Sequence, residues 1–575
     1  MARSPSIATV RSRLSAVVRR LSATVAARCA ADLRALAAFR VGLGTLLIAD
    51  LLLRSRSLSA FYTDDGVLPR SALFADYSDV HSVHALVGEP WAVALVFAFT
   101  GAVAVALLVG YRTRLATLVS WLLLVSLHAR NPMVLNSGDS LLRMLLFWSV
   151  FLPLGARWSV DALRRADAGT DAESDAAAAG GPDGDPETAP DGSPTDDASD
   201  SPTDDASDSP APGSSGESVA TVATMAVLVQ VLMMYVTNGI HKRESELWMG
   251  GEAVAYIMQA DHFTYLLGNH LAEFTGLLRG LTVLWIALLF ASPLLLLLTG
   301  IARAAIASLF VGMHLGMAVT MPIGLFPIVV VVGFVPFFQT PVWDAAERVA
   351  DRFGPSAALE RWRARLASAG RRLASLDASI PRPTPSGSLD GVENGLRTGV
   401  KRGRPLFSTV LPYVFLVLIV ISSAQAVGYA ETPDPAEDVL ETVEMDQHWR
   451  MFAPNPTRTT QWFVAPATLA DGSERDVLRD SPVDFDPPAR AETTYRSSRW
   501  RKYLTNVAST DNENHRSYLA NYLCEDWNRT REAAAENVTV HRLYERTDPY
   551  NGSVLADGRF ELIEYDCSGA FVQSD

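Results

Sequence analysis

Long apolar stretches alternate with shorter polar connections along most of the chain. Each stretch has about 20 residues, the length that an α-helix needs to cross the hydrocarbon core of a bilayer. The pattern predicts about nine transmembrane helices, at residues 35–53, 91–111, 113–129, 138–154, 218–238, 280–300, 302–321, 323–339 and 406–427. The predicted fold is therefore an α-helical polytopic (multi-pass) membrane bundle, and the lipid bilayer is its predicted partner.

The predicted helices form two groups around a long polar segment. The first half of the bundle covers residues 35–165 with four helices, and the second covers residues 218–339 with a loop at 239–279. The last predicted helix, at residues 406–427, is separated from the second half by the polar segment 340–405. Pro322 and Gly324 interrupt the second half, where they mark either a tight turn between two spans or a kink in one long helix.

Three polar segments accompany these helices. Residues 1–34 carry seven arginines and apolar residues at helical spacing, which predicts an amphipathic helix on a membrane face, with a disordered basic tail as the alternative. Residues 340–405 are also Arg-rich and contain a second predicted amphipathic helix at 343–374. Residues 166–217 repeat SPTDDASD and are too polar to bury a core, which predicts a disordered acidic linker.

The polar connections carry an asymmetric charge. With the N-terminus placed inside, the inner segments hold 25 Lys and Arg residues and the outer loops hold 7. Since cytoplasmic connections are enriched in these residues, the N-terminus, the linker 166–217 and the segment 340–405 are predicted to be cytoplasmic. An odd number of spans across the cell membrane then makes residues 428–575 an extracytoplasmic domain.

The C-terminal segment 428–575 is predicted to be β-rich, with a helix near 511–535, because short β-branched and aromatic runs alternate with turn residues. Cys524 and Cys567 are its two cysteines, and Cys29 lies across the predicted membrane, so the pair is predicted to form a disulfide. Glycosylation sequons in the same segment begin at Asn528, Asn537 and Asn551.

Composition and motifs exclude several classes of function. The net charge of −14 comes from the fifteen acidic residues of the linker 166–217, and the rest of the chain carries +1, so no nucleic-acid partner is predicted. The sequence contains no HExxH, GxSxG, Walker A or CxxC pattern. Soluble hydrolases and nucleotide-driven transporters are therefore disfavoured, no metal site is predicted, and no protein partner is indicated.

Basic residues are used unevenly, and this singles out one lysine. Arginine accounts for 46 of the 49 basic residues, and the lysines are Lys242, Lys401 and Lys502. Arginine does not release its proton in proteins, whereas lysine does. Lys242 follows the fifth predicted helix and precedes Arg243. It is either a functional lysine that exchanges a proton or an interfacial lysine that extends to the lipid headgroups.

Ionisable side chains inside predicted spans are costly and are candidates for function, among them Arg40, Asp50, Arg143 and His314. For Arg40, Asp50 and Arg143 we favour structural ion pairs in the bundle interior. His314 lies in a Gly-rich stretch, where it either lines a cavity or hydrogen-bonds a neighbouring carbonyl group.

Five short elements occur in a characteristic order: FRVG at 39–42, FYTDDGVLP at 61–69, RWSVD at 157–161, GIHKRESELW at 239–248 and WRMFAPNP at 449–456. Together they resemble elements of the vitamin K-dependent gamma-carboxylases and their microbial relatives, the horizontally transferred transmembrane domain (HTTM) family. The resemblance covers roughly residues 31–165 and 218–470.

The resemblance implies a membrane enzyme that uses an isoprenoid quinol, such as a menaquinol-like lipid. The lysine that matches Lys242 is thought to act there as a free amine that deprotonates the quinol. Oxygenation of the quinol then yields a strong base, which removes a proton from a substrate glutamate before CO₂ adds. His241, Asp139 and His314 are the neighbouring candidate site residues.

One departure from the family favours a different function. Where the carboxylases have a histidine that assists the lysine, this chain has Asp139, and His128 and His241 are the candidate substitutes. A carboxylate beside Lys242 would stabilise the charged ammonium form. The competing hypothesis is therefore a non-catalytic membrane scaffold or a small-molecule pore with the same fold.

Overall fold

The computed structural model of the chain describes residues 7–77, 80–167, 218–354, 361, 365, 368, 370, 372, 406–509 and 513–573. The predicted acidic linker, from residue 168 onward, and most of the Arg-rich segment beyond residue 354 lie outside the described residues.

The described chain is mainly helical. Helices α1 to α8 are Ile7–Cys29, Leu33–Ser55, Leu58–Tyr62, Arg70–Asp76, Pro90–Val109, Thr113–Arg130, Ser137–Ser149 and residues 160–167. Helices α9 to α17 are Val222–Arg243, Glu246–Met249, Ala253–Gln259, Leu267–Leu271, Thr275–Ala291, Leu294–Leu297, Gly300–Thr320, Phe326–Phe334 and Thr340–Phe353. Helices α18 to α21 are Leu411–Ala426, Asp434–Thr442, Ser498–Ser509 and Asn514–Thr530.

Several of these helices identify the chain as a membrane-embedded protein. Five are long and apolar enough to cross a membrane, namely Leu33–Ser55, Pro90–Val109, Val222–Arg243, Gly300–Thr320 and Leu406–Ala426. A sixth results if the pair Phe326–Phe337 and Thr340–Arg352, bent by 102°, counts as one broken span. Within the described residues the number is thus lower than the nine that the sequence predicted.

The other predicted spans coincide with helices that are shorter or more polar. Helix α7, at predicted span 138–154, has only 13 residues, and most of its side chains are buried. Helix α13, at predicted span 280–300, has 17 residues and ends at Ala291. A helix enclosed by protein and a helix exposed to lipid are both apolar, so hydropathy alone does not distinguish them.

The interruption at Pro322 and Gly324 is a turn. Helix α15 ends at Thr320 and α16 begins at Phe326, with Gly324 at a φ of 69° between them. This backbone conformation is one that glycine adopts readily. Of the two alternatives, the structure has the turn and not the kink.

Both Arg-rich regions begin as helices in the described residues. The side chains of α1 that are described leave Val17, Val18, Leu21 and Val25 exposed. After α1 the chain continues into α2. There Arg34 forms ion pairs with Asp344 and Glu347 of α17, at 2.7 Å and 2.6 Å. The N-terminal segment is thus helical from Ile7 onward, as the amphipathic-helix prediction requires.

Helices α2 and α5 pack closely through a small residue and a buried arginine. A Cβ atom at Gly44 would lie 2.7 Å from Leu108 Cα, so the two backbones approach each other more closely than any other residue permits. Arg40 is buried nearby and donates from Nη1 to Leu107 O at 2.9 Å and from Nη2 to Trp158 O at 2.5 Å. Its hydrogen-bond partners are thus backbone carbonyl groups and not the predicted acidic side chain.

The C-terminal region combines an antiparallel sheet with two helices. Two short strands, β1 (Ala31–Asp32) and β2 (Ser218–Val219), pair elsewhere in the chain, and the sheet comprises β3 (Thr460–Val464), β4 (Pro466–Leu469), β5 (Glu474–Asp476), β6 (Ala535–Thr547) and β7 (Val554–Asp566). Strand β6 is central: β7 pairs along one edge, while β4 and β3 share the other. The predicted helix near 511–535 corresponds to α21.

Helix α20 connects the C-terminal region to the bundle. Trp500, Tyr503, Leu504 and Val507 recur at helical spacing and are buried in one core with Phe61 of α3. The ring centroids of Phe61 and Trp500 are 4.8 Å apart. The C-terminal region is therefore packed into the end of the bundle.

Candidate functional site

A cavity of about 510 Å³ lies where the bundle meets the C-terminal region. Its walls come from α9, α11, α13 and α15, from the turn after α15, from residues 451–452 and from α20. Most of the lining is apolar, including Met234, Ile257, Met258, Leu278, Leu281, Trp285, Met313, Met317, Met321, Ile323 and Phe326. The volume is in the range of sites that enclose a small organic ligand.

Lys242 lies in the wall of this cavity and is almost fully buried, at the C-terminal end of α9. Its Nζ donates a hydrogen bond to Met451 O at 2.6 Å. The same atom lies 4.0 Å from the centroid of the Trp248 ring. No acidic side chain is among its partners in the described part of the chain, so an aromatic face and a carbonyl oxygen hold the amine.

The segment after the last long helix is fixed by the loop that carries Lys242. Asn238 Nδ2 donates to Trp449 O and Met451 O, both at 3.2 Å, and Trp248 Nε1 donates to Phe452 O at 2.8 Å. The two sequence elements GIHKRESELW and WRMFAPNP, which are more than 200 residues apart in the sequence, are therefore in direct contact.

Helix α20 contributes a polar face to the same cavity. Ser498, Arg501, Lys502 and Thr505 are spaced as neighbours on one helical face, and all four line the cavity. Lys502 is the second of the three lysines in the sequence. Two of three lysines, in a chain that otherwise uses arginine, thus line one cavity.

Arg501 and Lys502, the cationic side chains that α20 contributes to the apolar cavity, form no ion pair with a carboxylate among the described residues. Arg501 donates to His262 O at 2.7 Å and to Pro322 O at 3.0 Å, and its Cζ lies 4.3 Å from the Phe263 ring centroid. Lys502 is half-buried and forms no hydrogen bond or ion pair within the described residues. Burial, together with the nearby charge of Arg501, lowers the pKa of Lys502.

His314 lines the cavity from α15. Its Nδ1 lies 2.9 Å from Phe310 O, and its ring is in edge contact with the rings of Tyr235, Trp285 and Phe326. Both alternatives predicted for this residue therefore hold at once, since it faces a cavity and is hydrogen-bonded to a neighbouring carbonyl oxygen. Lys242 and His314 are the predicted candidate site residues that the structure brings to the cavity.

Asp139 is engaged elsewhere. Its Oδ1 accepts from Arg54 Nη2 at 2.6 Å and from Arg499 Nη2 at 3.0 Å, and Asp50 binds the same two arginines. Its Oδ2 accepts from the backbone N–H of Asn136, which completes a capping box at the start of α7. Asp139 is thus a helix cap and a member of a buried four-residue ion cluster, and the expected carboxylate beside Lys242 is not present.

The remaining polar groups of the bundle also have structural positions. Arg143 forms an ion pair with Glu444 and lies 3.3 Å from His128 Nδ1. Of the predicted ion pairs, those of Asp50 and Arg143 are present. His241 is buried next to Lys242 but is not among the residues that line the cavity, and its Nε2 has no hydrogen-bond partner among the described residues.

A second, more polar cavity of about 670 Å³ adjoins the first. Asn136 and Ser498 line both cavities. The second is lined by the α2–α3 connection and by α20, with Arg56, Arg496 and Arg499 among its side chains. An apolar chamber and a basic, serine-rich vestibule therefore meet at Asn136 and Ser498.

The predicted modification sites lie in the C-terminal region. The structure joins Cys524 on α21 to Cys567 after β7 by a disulfide. Asn528 and Asn551 are exposed, and Asn537 is half-buried in β6. Glycosylation of these residues stays a prediction.

The contribution of α20 to the cavity was not predicted from the sequence. The signal was present in two forms: Lys502 is one of three lysines, and the apolar residues 500, 503, 504 and 507 have helical spacing. Comparison of the chain with protein-family models, with curated proteins and with solved structures gave no match to any of them.

Proposed function

We propose that the chain is a membrane enzyme that deprotonates an isoprenoid quinol, a menaquinol-like lipid, in the apolar cavity, with Lys242 as the base. The observation that carries the proposal is the position of Lys242, which is buried in the wall of an apolar cavity without a carboxylate beside it. The polyisoprenoid tail would pack against the methionine and leucine side chains of the lining. The quinol ring would lie at the polar end of the cavity, which α20 provides.

The contacts of Lys242 are compatible with proton transfer. A neutral amine donates one N–H to Met451 O and keeps its lone pair for the quinol hydroxyl proton. Once protonated, the ammonium is stabilised by the same carbonyl oxygen and by the face of Trp248. His314 and Trp285 both line the cavity and are in edge contact with each other, so in this proposal their rings orient the quinol.

The resemblance extends this proposal to later steps. The deprotonated quinol would react with O₂ to form a strong base, and this base would remove a proton from a glutamate to which CO₂ adds. The vestibule next to the apolar cavity offers a water-accessible position for such a second substrate.

For the topology we propose a cytoplasmic N-terminus, a cytoplasmic linker at 166–217 and an extracytoplasmic C-terminal domain. The ratio of 25 to 7 basic residues and the cluster of three sequons support this orientation. Protease added to intact cells would then cleave the C-terminal domain and spare the linker. Cleavage within SPTDDASD from outside would contradict the orientation.

One observation favours the alternative, a non-catalytic scaffold or pore. Lys242, Asn238 and Trp248 together hold the backbone of residues 449–452. In this alternative Lys242 is an anchor for the segment that leads into the C-terminal region.

The Lys242→Arg variant separates the two hypotheses. Arginine keeps the charge and the ability to donate to Met451 O, but it does not accept a proton. If Lys242 is the base, quinol oxidation by the purified protein in lipid nanodiscs should fall about 10²–10⁴-fold while thermal stability is retained.

Arg243→Lys is the matched control, because Arg243 is the exposed neighbour of Lys242 on the same helix. It should leave activity unchanged. Equal quinol oxidation by Lys242→Arg and by the unmodified chain would refute the proposed function. Absence of any quinol oxidation, with Lys242→Gln lowering stability, would establish the anchoring role.

A further inference from the structure

The charges that line the apolar cavity are unbalanced. Arg501 and Lys502 supply two cationic side chains, the amine of Lys242 adds a third basic group, and neither Asp nor Glu is among the lining residues that the structure describes. Burying a charge without an opposite partner is costly, and proteins ordinarily compensate such a charge with a counter-ion or a ligand. The polar end of the cavity is therefore positively charged.

Arg501 and Lys502 both lie on α20, and both have N–H donors that are available to a ligand. Lys502 has three N–H donors and forms no hydrogen bond within the described residues. Arg501 donates to two backbone carbonyl oxygens, which carry no net charge. Ser498, on the same face of α20, adds a hydroxyl group. This set of adjacent donors is typical of sites that bind carboxylate or phosphate groups.

The other end of the cavity reaches the lipid-facing surface. Gly312 and Gly316 line the cavity from α15, are exposed, and have no atom within 4 Å of the position where a Cβ would lie. Leu309, Leu315 and Val319 on the same helix are exposed and apolar. The two glycines therefore leave an apolar opening in a surface that faces the bilayer.

We propose that the cavity binds a long-chain amphiphile with an acidic headgroup, a carboxylate or a phosphate monoester, held by Lys502 and Arg501. The hydrocarbon chain lies along the methionine-rich lining and enters past Gly312 and Gly316. This proposal goes beyond the proposed function, because binding requires the positive charge of α20 and does not require Lys242 to act as a base.

Three probes of equal chain length test the proposal with the full-length protein in nanodiscs: hexadecanoate, hexadecyl phosphate and hexadecanol. The two acidic probes should bind at least about tenfold more tightly than the neutral alcohol, because hydrogen bonds to charged groups are stronger than neutral ones. The tighter of the two acidic probes identifies the headgroup.

Substitution of Lys502 tests the charged end. Lys502→Gln should weaken binding of the acidic probes about tenfold or more and leave hexadecanol unaffected, while Lys502→Arg should retain the preference. Arg475→Gln, at a partly exposed position of β5 in the C-terminal region, is the control and should change nothing. If Lys502→Gln fails to fold, the comparison of the three probes on the unmodified chain still decides.

Substitution of Gly316 tests the apolar chamber. Gly316→Phe should weaken binding of all three probes, because its side chain occupies the opening. Gly280→Phe on α13 is a matched control, since Gly280 is an exposed helical glycine with no atom within 4 Å of its Cβ position and does not line the cavity. Both changes replace glycine within a helix, so neither should lower helix stability.

The proposal is overturned if hexadecanol binds as tightly as hexadecanoate, if none of the probes binds, or if Lys502→Gln keeps the acidic preference. Failure of the proposed function is distinguishable from these results. Lys242→Arg should lower quinol oxidation about 10²–10⁴-fold and still bind the acidic probes. Loss of acidic binding with quinol oxidation intact refutes only the present inference.

Discussion

Arg499 is predicted to fasten the C-terminal region to the bundle through the buried ion cluster. It lies on α20 and donates to Asp50 of α2 and to Asp139 of α7, which also bind Arg54. Asp50 and Asp139 are 2% and 5% exposed, so water does not compensate either charge. The cluster contains two cations and two anions and is neutral as a whole.

Replacing Arg499 with methionine leaves two buried carboxylates with one arginine. Removing one partner from a buried ion pair costs about 3–5 kcal/mol, since an uncompensated charge remains. We therefore expect Arg499→Met to lower the free energy of unfolding by about this amount. The double variant Asp139→Asn/Arg499→Met restores a neutral cluster, so its loss should be smaller than the sum of the single losses.

Denaturant unfolding of the detergent-solubilised protein, followed by tryptophan fluorescence, measures the effect, because Trp500 lies on the same helix. Arg529→Met is the control: Arg529 pairs with Asp526 at 2.9 Å but is 46% exposed, and such surface pairs contribute at most about 1 kcal/mol. If Arg499→Met costs no more than Arg529→Met, the reasoning about the buried cluster is wrong.

Two further predictions concern the disulfide of the C-terminal region and Asp261, which accepts a hydrogen bond from that region at Ala491 N. Replacing Cys524 and Cys567 with serine opens a loop with a sequence separation of 43 residues, which should lower its stability by about 4 kcal/mol in urea titrations under oxidising conditions. Burial raises the pKa of Asp261 to about 6, so the folded state binds this proton more tightly than the unfolded state, and stability should fall as the pH rises from about 4 through 6. Asp261→Asn should flatten that pH dependence, and an unchanged profile would contradict the assignment.

The long apolar helices were predictable because their length and composition are set by the bilayer. Helix α7 shows the limit of prediction from hydropathy. Leu145 and Trp148 are fully buried against other helices, and yet their hydrophobicity predicted a transmembrane span there. A single sequence records that a residue avoids water, and it does not record whether lipid or protein surrounds the residue.

The candidate site was predictable in part for the same reason. The rarity of lysine pointed to Lys242, which does line the cavity. The pairing of Asp139 with Arg499 joins residues separated by 360 positions, and nothing local in either segment specifies it. The segment around Arg501 and Lys502 resembles a solvated basic surface in the sequence, and only its packing against the bundle places it in a cavity wall.

If the proposed function is correct, an amphiphile occupies the cavity between α9, α15 and α20 with its reactive end near Lys242. Photolabelling in native membranes with a quinol that carries a diazirine on its isoprenoid chain measures this occupancy. The label should map to Met313 and Met317 and should be lost in Gly316→Phe. Labelling confined to the outward residues Leu309 and Leu315, and unaffected by Gly316→Phe, would show that the quinol does not occupy the cavity.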